Sequence, residues 1–154
     1  MTNGYIYMEK VIKKSREQIY QGESPFAAGI LVGNQFYLYG NMSRTKQNPN
    51  LHAEIVCINK FCEENDYHLL YGATIYSSCE PCLMCLHSII NAGIKKIVYG
   101  ATIDDAISYN SGDDSIHIID YLKKMKINVD VEGNVLREKA VDVFKECIKY
   151  RGEL

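Results

Sequence analysis

The stretch from residue 73 to residue 100 constrains the fold more tightly than any other part of the chain. Residues 73–77 are β-prone, residues 80–91 carry apolar side chains at helical spacing, and residues 95–100 are β-prone again, with Ala92-Gly93 as a stop between helix and second strand. A strand, a helix and a strand joined this closely form a parallel crossover, which places helices on the faces of a sheet.

The remaining pattern fits the same architecture. Met8, Val11, Ile12 and Ile19 recur at helical spacing among Lys and Glu, which predicts a helix over 8–19 stopped by Gly22. Residues 27–32 and 35–39 read as two strands of a hairpin turned by Gly33-Asn34. Residues 41–50 are mostly polar and aperiodic, the pattern of a surface loop. Ile55, Val56, Ile58, Phe61 and Cys62 then mark a second helix, with Asn50 as its expected cap and His52 in its first turn. A helix over 113–126, a strand over 129–131 and a helix over 138–150 complete the expectation. The predicted fold is a three-layer α/β/α sandwich around a mixed five-stranded sheet. At 154 residues and 47% hydrophobic content the chain suits a single core and one domain.

Charge narrows the function classes. A formal net charge of −2 provides no global positive field of the kind that draws proteins to nucleic-acid backbones, although Lys13, Lys14, Arg16, Arg44, Lys46, Lys95 and Lys96 can gather locally. No apolar run approaches the roughly 18 residues of a membrane span, and the first residues lack the charged-then-apolar layout of a secretory signal. The expectation is a cytoplasmic protein without a membrane partner. Three of the six cysteines fall within seven residues, a grouping that reads as metal binding rather than disulfide stapling.

Cys82 and Cys85, at i and i+3, share one helical face behind Pro81, and His52 supplies an imidazole from another segment. One nitrogen and two sulfurs are a ligand set that zinc prefers, and a catalytic zinc keeps three protein ligands with the fourth position open to water. Glu54 lies two residues from His52, a separation of roughly 200° on a regular helix. Both side chains reach one site only if His52 stands at the helix entrance. Cys79 defines the competing arrangement, a closed structural site of His52 with three cysteines and no place for water, as in a zinc-stapled binding module.

These residues carry a resemblance. His52-Ala53-Glu54 and Pro81-Cys82-Leu83-Met84-Cys85 match the signature of the zinc nucleobase deaminases, and the chain resembles the cytidine-deaminase-like superfamily. The likeness extends to Pro25-Phe26-Ala27-Ala28, to Asn41, to residues 49–54 and 78–85, and to the strand over 97–100. Within the branch that holds guanine deaminases and tRNA adenosine deaminases, Tyr76-Ser77-Ser78-Cys79-Glu80-Pro81-Cys82 is more similar to the guanine enzymes.

The resemblance implies a Zn2+ cofactor on His52, Cys82 and Cys85, Glu54 as the catalytic proton shuttle, and Phe26, Asn41, Ala53 and Asp114 as substrate-binding residues. It implies hydrolytic deamination of a purine, guanine to xanthine and ammonia foremost, with guanosine, cytosine or a tRNA wobble adenosine as alternatives. It also implies a homodimer, while the acidic charge balance and the Cys79 motif favour a small-molecule partner over nucleic acid. The Asp114 carboxylate would accept from the N–H edge of guanine, donors that adenine lacks. Asp113 and Asp114 equally suit a helix N-cap and first turn, and Asn41 a loop-stabilising turn. Cys57, Cys62 and Cys147 read as small core residues or free thiols, and His68, His87 and His117 as structural or surface positions. Tyr121, Phe144 and Tyr150 are candidates for the core or for a cover over the pocket.

Overall fold

A computed structural model describes residues 3–66, 69–111 and 116–154. Eleven elements follow in the order α1 (Asn3–Tyr20), β1 (Ala27–Val32), β2 (Gln35–Gly40), α2 (Ala53–Asn65), β3 (Thr74–Cys79), α3 (Leu83–Asn91), β4 (Lys96–Ala101), α4 (Ile103–Ser108), α5 (Ile118–Met125), β5 (Asp130–Glu132) and α6 (Arg137–Arg151) among the described residues.

The five strands form one mixed sheet in the order β2-β1-β3-β4-β5. β1 runs antiparallel to both β2 and β3, while β3, β4 and β5 are mutually parallel. The hairpin turns as expected: Gly33 takes a φ of 57°, which glycine adopts without a Cβ clash. β1, flanked on both sides, is almost wholly apolar (Ala-Ala-Gly-Ile-Leu-Val), as a strand covered on both faces must be.

Two apolar layers cover the sheet. On one face Met8, Val11, Ile12 and Ile19 of α1 pack with Val143, Phe144 and Cys147 of α6. On the other, Ala53, Cys57 and Phe61 of α2 pack with Leu86 and Ile89 of α3 and with Ile118 and Leu122 of α5. Each of the buried Val, Leu, Ile, Met and Phe side chains among these contributes about 1.5–3 kcal/mol. The three-layer sandwich with a mixed five-stranded sheet is therefore the observed fold.

Several boundaries differ from the sequence reading, each for a local reason. Asn50 does not cap α2; its N–H is turned back onto Asn48 Oδ1 at 3.0 Å, and His52 is itself the N-cap, with extended φ −64° and ψ 156°. α3 begins at Leu83 rather than at residue 80, because the Glu80 N–H still pairs with the Ala101 carbonyl at 2.7 Å and keeps the chain extended beyond β3. Pro81 thus precedes the helix, and Cys82 is its N-cap. The short helix α4 was not anticipated. The expected helix over 113–126 is α5, beginning at Ile118, and residues 112–115 lie outside the described residues.

Candidate metal and catalytic site

The sheet brings the functional segments to one end. Pairing of Ala27 with Gly40 sets Phe26 and Asn41 side by side at the open end of the hairpin, where the Asn41 N–H donates to the Phe26 carbonyl at 3.0 Å. Pairing of Ala28 with Ser77 brings the C-terminal end of β3 to the same level, and the parallel β3–β4 pair adds Ala101. Crevices outside the carboxyl ends of parallel strands are the usual ligand sites of open α/β sheets.

His52 and Cys82 stand as the N-caps of α2 and α3, so two helix N-termini converge on one point. His52 Nδ1 lies 3.7 Å from Cys82 Sγ and 3.6 Å from Cys85 Sγ. A tetrahedral zinc with ordinary Zn–N and Zn–S bond lengths holds its nitrogen and sulfur ligands about 3.6 Å apart. The ligand atoms of His52, Cys82 and Cys85 all lie within 4.8 Å of one another, and these residues fit a zinc ion. The N-terminal ends of both helices favour negative charge there. The Cys85 thiol donates to Cys82 and His52 adds a further hydrogen bond, so that, against the opposing effect of burial, the Cys82 thiol is pulled down to about 4. Donation to Cys82 and burial hold the Cys85 proton in place.

Glu54 is the second residue of α2, and the extended N-cap conformation of His52 meets the entrance condition stated above: both side chains address one site. Glu54 is only 7% exposed. Ser77 Oγ donates to its Oε1 at 2.6 Å. Burial pushes the Glu54 carboxyl above its ordinary value, and the Ser77 hydrogen bond pulls it partway back.

A cavity of about 250 Å³ opens on this group, lined by Phe26, Asn41, His52, Ala53, Glu54 and Cys82 among others. The sequence-derived set is thus assembled in one place, except Asp114, which lies outside the described residues. The sequence profile of the MafB19-like deaminases matches residues 2–147.

The chain belongs to this family.

The tRNA-specific adenosine deaminase of Bacillus subtilis is 31% identical over 102 residues, which span 66% of this chain and 63% of that protein. The guanine deaminase of the same organism is 31% identical over 117 residues, 75% of each chain. Among solved structures, a guanine deaminase from Nitrosomonas europaea superposes with a TM-score of 0.85 at 22% identity, covering 96% of this chain and 85% of that one, a likeness of fold.

Cys79 is not among the three residues whose ligand atoms cluster, although it lines the same cavity. Its thiol reaches the Thr102 carbonyl at 3.5 Å, and burial raises it well above the ordinary value. The other thiols follow the sequence reading: Cys57 and Cys147 are buried and Cys62 is half-buried, all unbridged. Phe144 is a core residue, Tyr150 is exposed, and the Tyr121 hydroxyl meets His87 Nε2 at 2.8 Å; none of the three lines the cavity.

Two buried carboxylates that organise the cavity walls escaped the sequence reading. Glu23, 1% exposed, accepts the backbone N–H groups of Ser24, Arg44 and Thr45, the Thr45 hydroxyl and Asn41 Nδ2. Burial opposes its charge, but the N–H groups of Thr45, Arg44 and Ser24 outweigh it and hold the carboxyl below its ordinary value. Asn41 Nδ2 donates both to Glu23 and to Ser43 Oγ, at 2.8 and 2.7 Å. Glu23 only accepts, so the amide must turn its nitrogen toward it. Glu80 likewise ties two helix starts together, accepting from the Ile103 and Ile118 N–H groups at 3.0 and 2.8 Å and meeting His117 Nδ1 at 3.0 Å. Neither acid has a local pattern that announces it. The helix α4 did have one: Thr102 and Asp105 exchange the reciprocal bonds of a capping box.

Proposed function

We propose that the chain is a zinc-dependent hydrolytic deaminase of a small purine, with guanine as its foremost substrate. One arrangement carries the reading: a zinc-sized triad of His52, Cys82 and Cys85 at two helix N-termini, with the buried Glu54 carboxylate beside it at a cavity of about 250 Å³. That volume lies below the range of about 300–1,000 Å³ for pockets that hold drug-sized ligands, and it suits a single base.

Zinc bound by the triad would supply a Lewis acid that lowers the pKa of water toward about 7. Glu54 takes one proton from the attacking water and delivers it to a ring nitrogen, then carries the second, from the newly added hydroxyl, to the exocyclic amine. The carbon–nitrogen bond breaks, ammonia leaves, and the ring keeps the oxygen as a carbonyl. Asn41, whose nitrogen is occupied by Glu23 and Ser43, offers Oδ1 as an acceptor for a substrate N–H. Phe26 supplies an apolar wall, Ala53 a helix-start N–H, and Asp114 an acceptor for the amino and imino edge of guanine.

Charge pairing supports a small substrate over a polynucleotide. Of the basic residues noted above, Lys14, Arg16, Arg44 and Lys96 face acids, namely Glu17, Glu146, Glu153 and Asp130. The second reading, a tRNA adenosine deaminase, is favoured by the 31% identity to a relative of that name. Incubation of the zinc-loaded protein with guanine, guanosine, cytosine, adenine and a tRNA anticodon stem, with ammonia as the readout, separates the two; conversion of the stem alone supports the second.

The proposal extends to a cytoplasmic homodimer, for which sedimentation gives the oligomeric state. Among the described residues, no helix is long and apolar enough to cross a membrane.

A further inference from the structure

The assignment of Glu54 as proton carrier leaves open which of its oxygens moves the proton. Ser77 bears on this. It sits in the middle of the sheet, paired with Ala28 on one side and Tyr99 on the other, and is 1% exposed. Its alternate on the same strand face, Ile75, packs in the apolar layer with Ala53 and Cys57 of α2. A hydroxyl in such a layer is costly unless it is hydrogen-bonded. Its partner is Glu54 Oε1, at 2.6 Å.

We propose that Ser77 is a positioning residue for Glu54: it holds Oε1 on the sheet side and leaves Oε2 as the oxygen that exchanges protons at the cavity. The inference rests on the reading of Glu54 given above. Ser77 is absent from the cavity lining, so it acts through Glu54 and not on the substrate. The terminal torsion of a glutamate is broad and two-fold, and an unanchored carboxylate turns easily. The Ser77 bond, beside a second hydrogen bond between the carboxyl and the Cys85 thiol, restrains that freedom, much as positioning groups hold reactants in near-attack geometry.

Thr and Val have nearly the same shape but differ in the hydroxyl, so Ser77→Thr and Ser77→Val form the controlled pair, with Ser77→Ala as the unstrained deletion. In Ser77→Ala and Ser77→Val, kcat should fall about 10- to 100-fold relative to Ser77→Thr, with KM within about twofold and bound zinc unchanged. Equal kcat in Ser77→Thr and Ser77→Val overturns the proposal. A second measurement does not depend on turnover: in a crystal structure of Ser77→Ala the Glu54 carboxylate should rotate or split between orientations. A carboxylate that keeps its single place there overturns the positioning role. Absence of turnover by the unaltered protein on every base would instead count against the reading of Glu54, and the crystallographic result would still decide the role of Ser77.

Discussion

His117 Nδ1 lies 3.0 Å from Glu80 Oε2, and the same ring reaches Asp104 Oδ2 through Nε2 at 3.0 Å. One imidazole thus joins the start of α4 to the start of α5 over a carboxylate that also accepts both helices' first N–H groups. The bond to Glu80, followed by the charges of Glu80 and Asp104, holds the His117 pKa above its ordinary value. A folded pKa above the unfolded one contributes stability that is fully present below the unfolded pKa and is lost as pH rises through the folded pKa. The melting temperature of the unaltered protein should therefore exceed that of His117→Asn at about pH 5.5, and the gap should narrow toward about pH 8. A gap that widened with pH would contradict this account of the ion pair.

Glu23 governs the loop that carries Asn41. Glu23→Ala strands the N–H groups of Ser24, Arg44 and Thr45, and urea unfolding should register a loss of about 2–3 kcal/mol. Because the Glu23 pKa is depressed in the fold, its contribution is present above the unfolded value and fades as pH falls through the folded one. The difference between Glu23→Ala and the unaltered protein should shrink accordingly in acid. An undiminished difference at low pH would show that the carboxylate charge is not what holds the loop.

The two zinc arrangements weighed from the sequence separate by metal analysis. Cys82→Ala and Cys85→Ala should each lose most of their zinc, while Cys79→Ala should retain about one zinc per chain. Loss of zinc from Cys79→Ala would restore the closed, four-ligand site.

The architecture was legible in the sequence because it rests on local pattern. The candidate ligand group was instead reached through the ligand chemistry of His52, Cys82 and Cys85 and through the resemblance, since His52 lies 30 and 33 residues from the two cysteines. The periodicity of Met8, Val11, Ile12 and Ile19 reports the buried stripe of α1 directly, while the spacing of Cys82 and Cys85 pairs the extended N-cap of α3 with its third residue rather than two positions on one helical face. Helix starts were less legible, because they depend on partners elsewhere. The Glu80 N–H remains extended for the sake of Ala101, and Asn50 is diverted by Asn48. Glu23 and Glu80 were not legible as organising residues. Their donors lie as far as 22 and 38 residues along the chain, and no local periodicity reports a bond of that span. The geometry that lets His52 and Glu54 share a site follows from the N-cap conformation, which the sequence could state only as a requirement.

The proposed deaminase chemistry is tested most directly by ammonia release from guanine, measured for the zinc-loaded protein and for Glu54→Ala in parallel with their zinc contents. The unaltered protein should convert guanine to xanthine, and Glu54→Ala should keep its zinc while losing activity by about 10²–10⁴-fold. Full activity in zinc-bound Glu54→Ala, or no ammonia from any purine with the unaltered zinc-loaded protein, would contradict it.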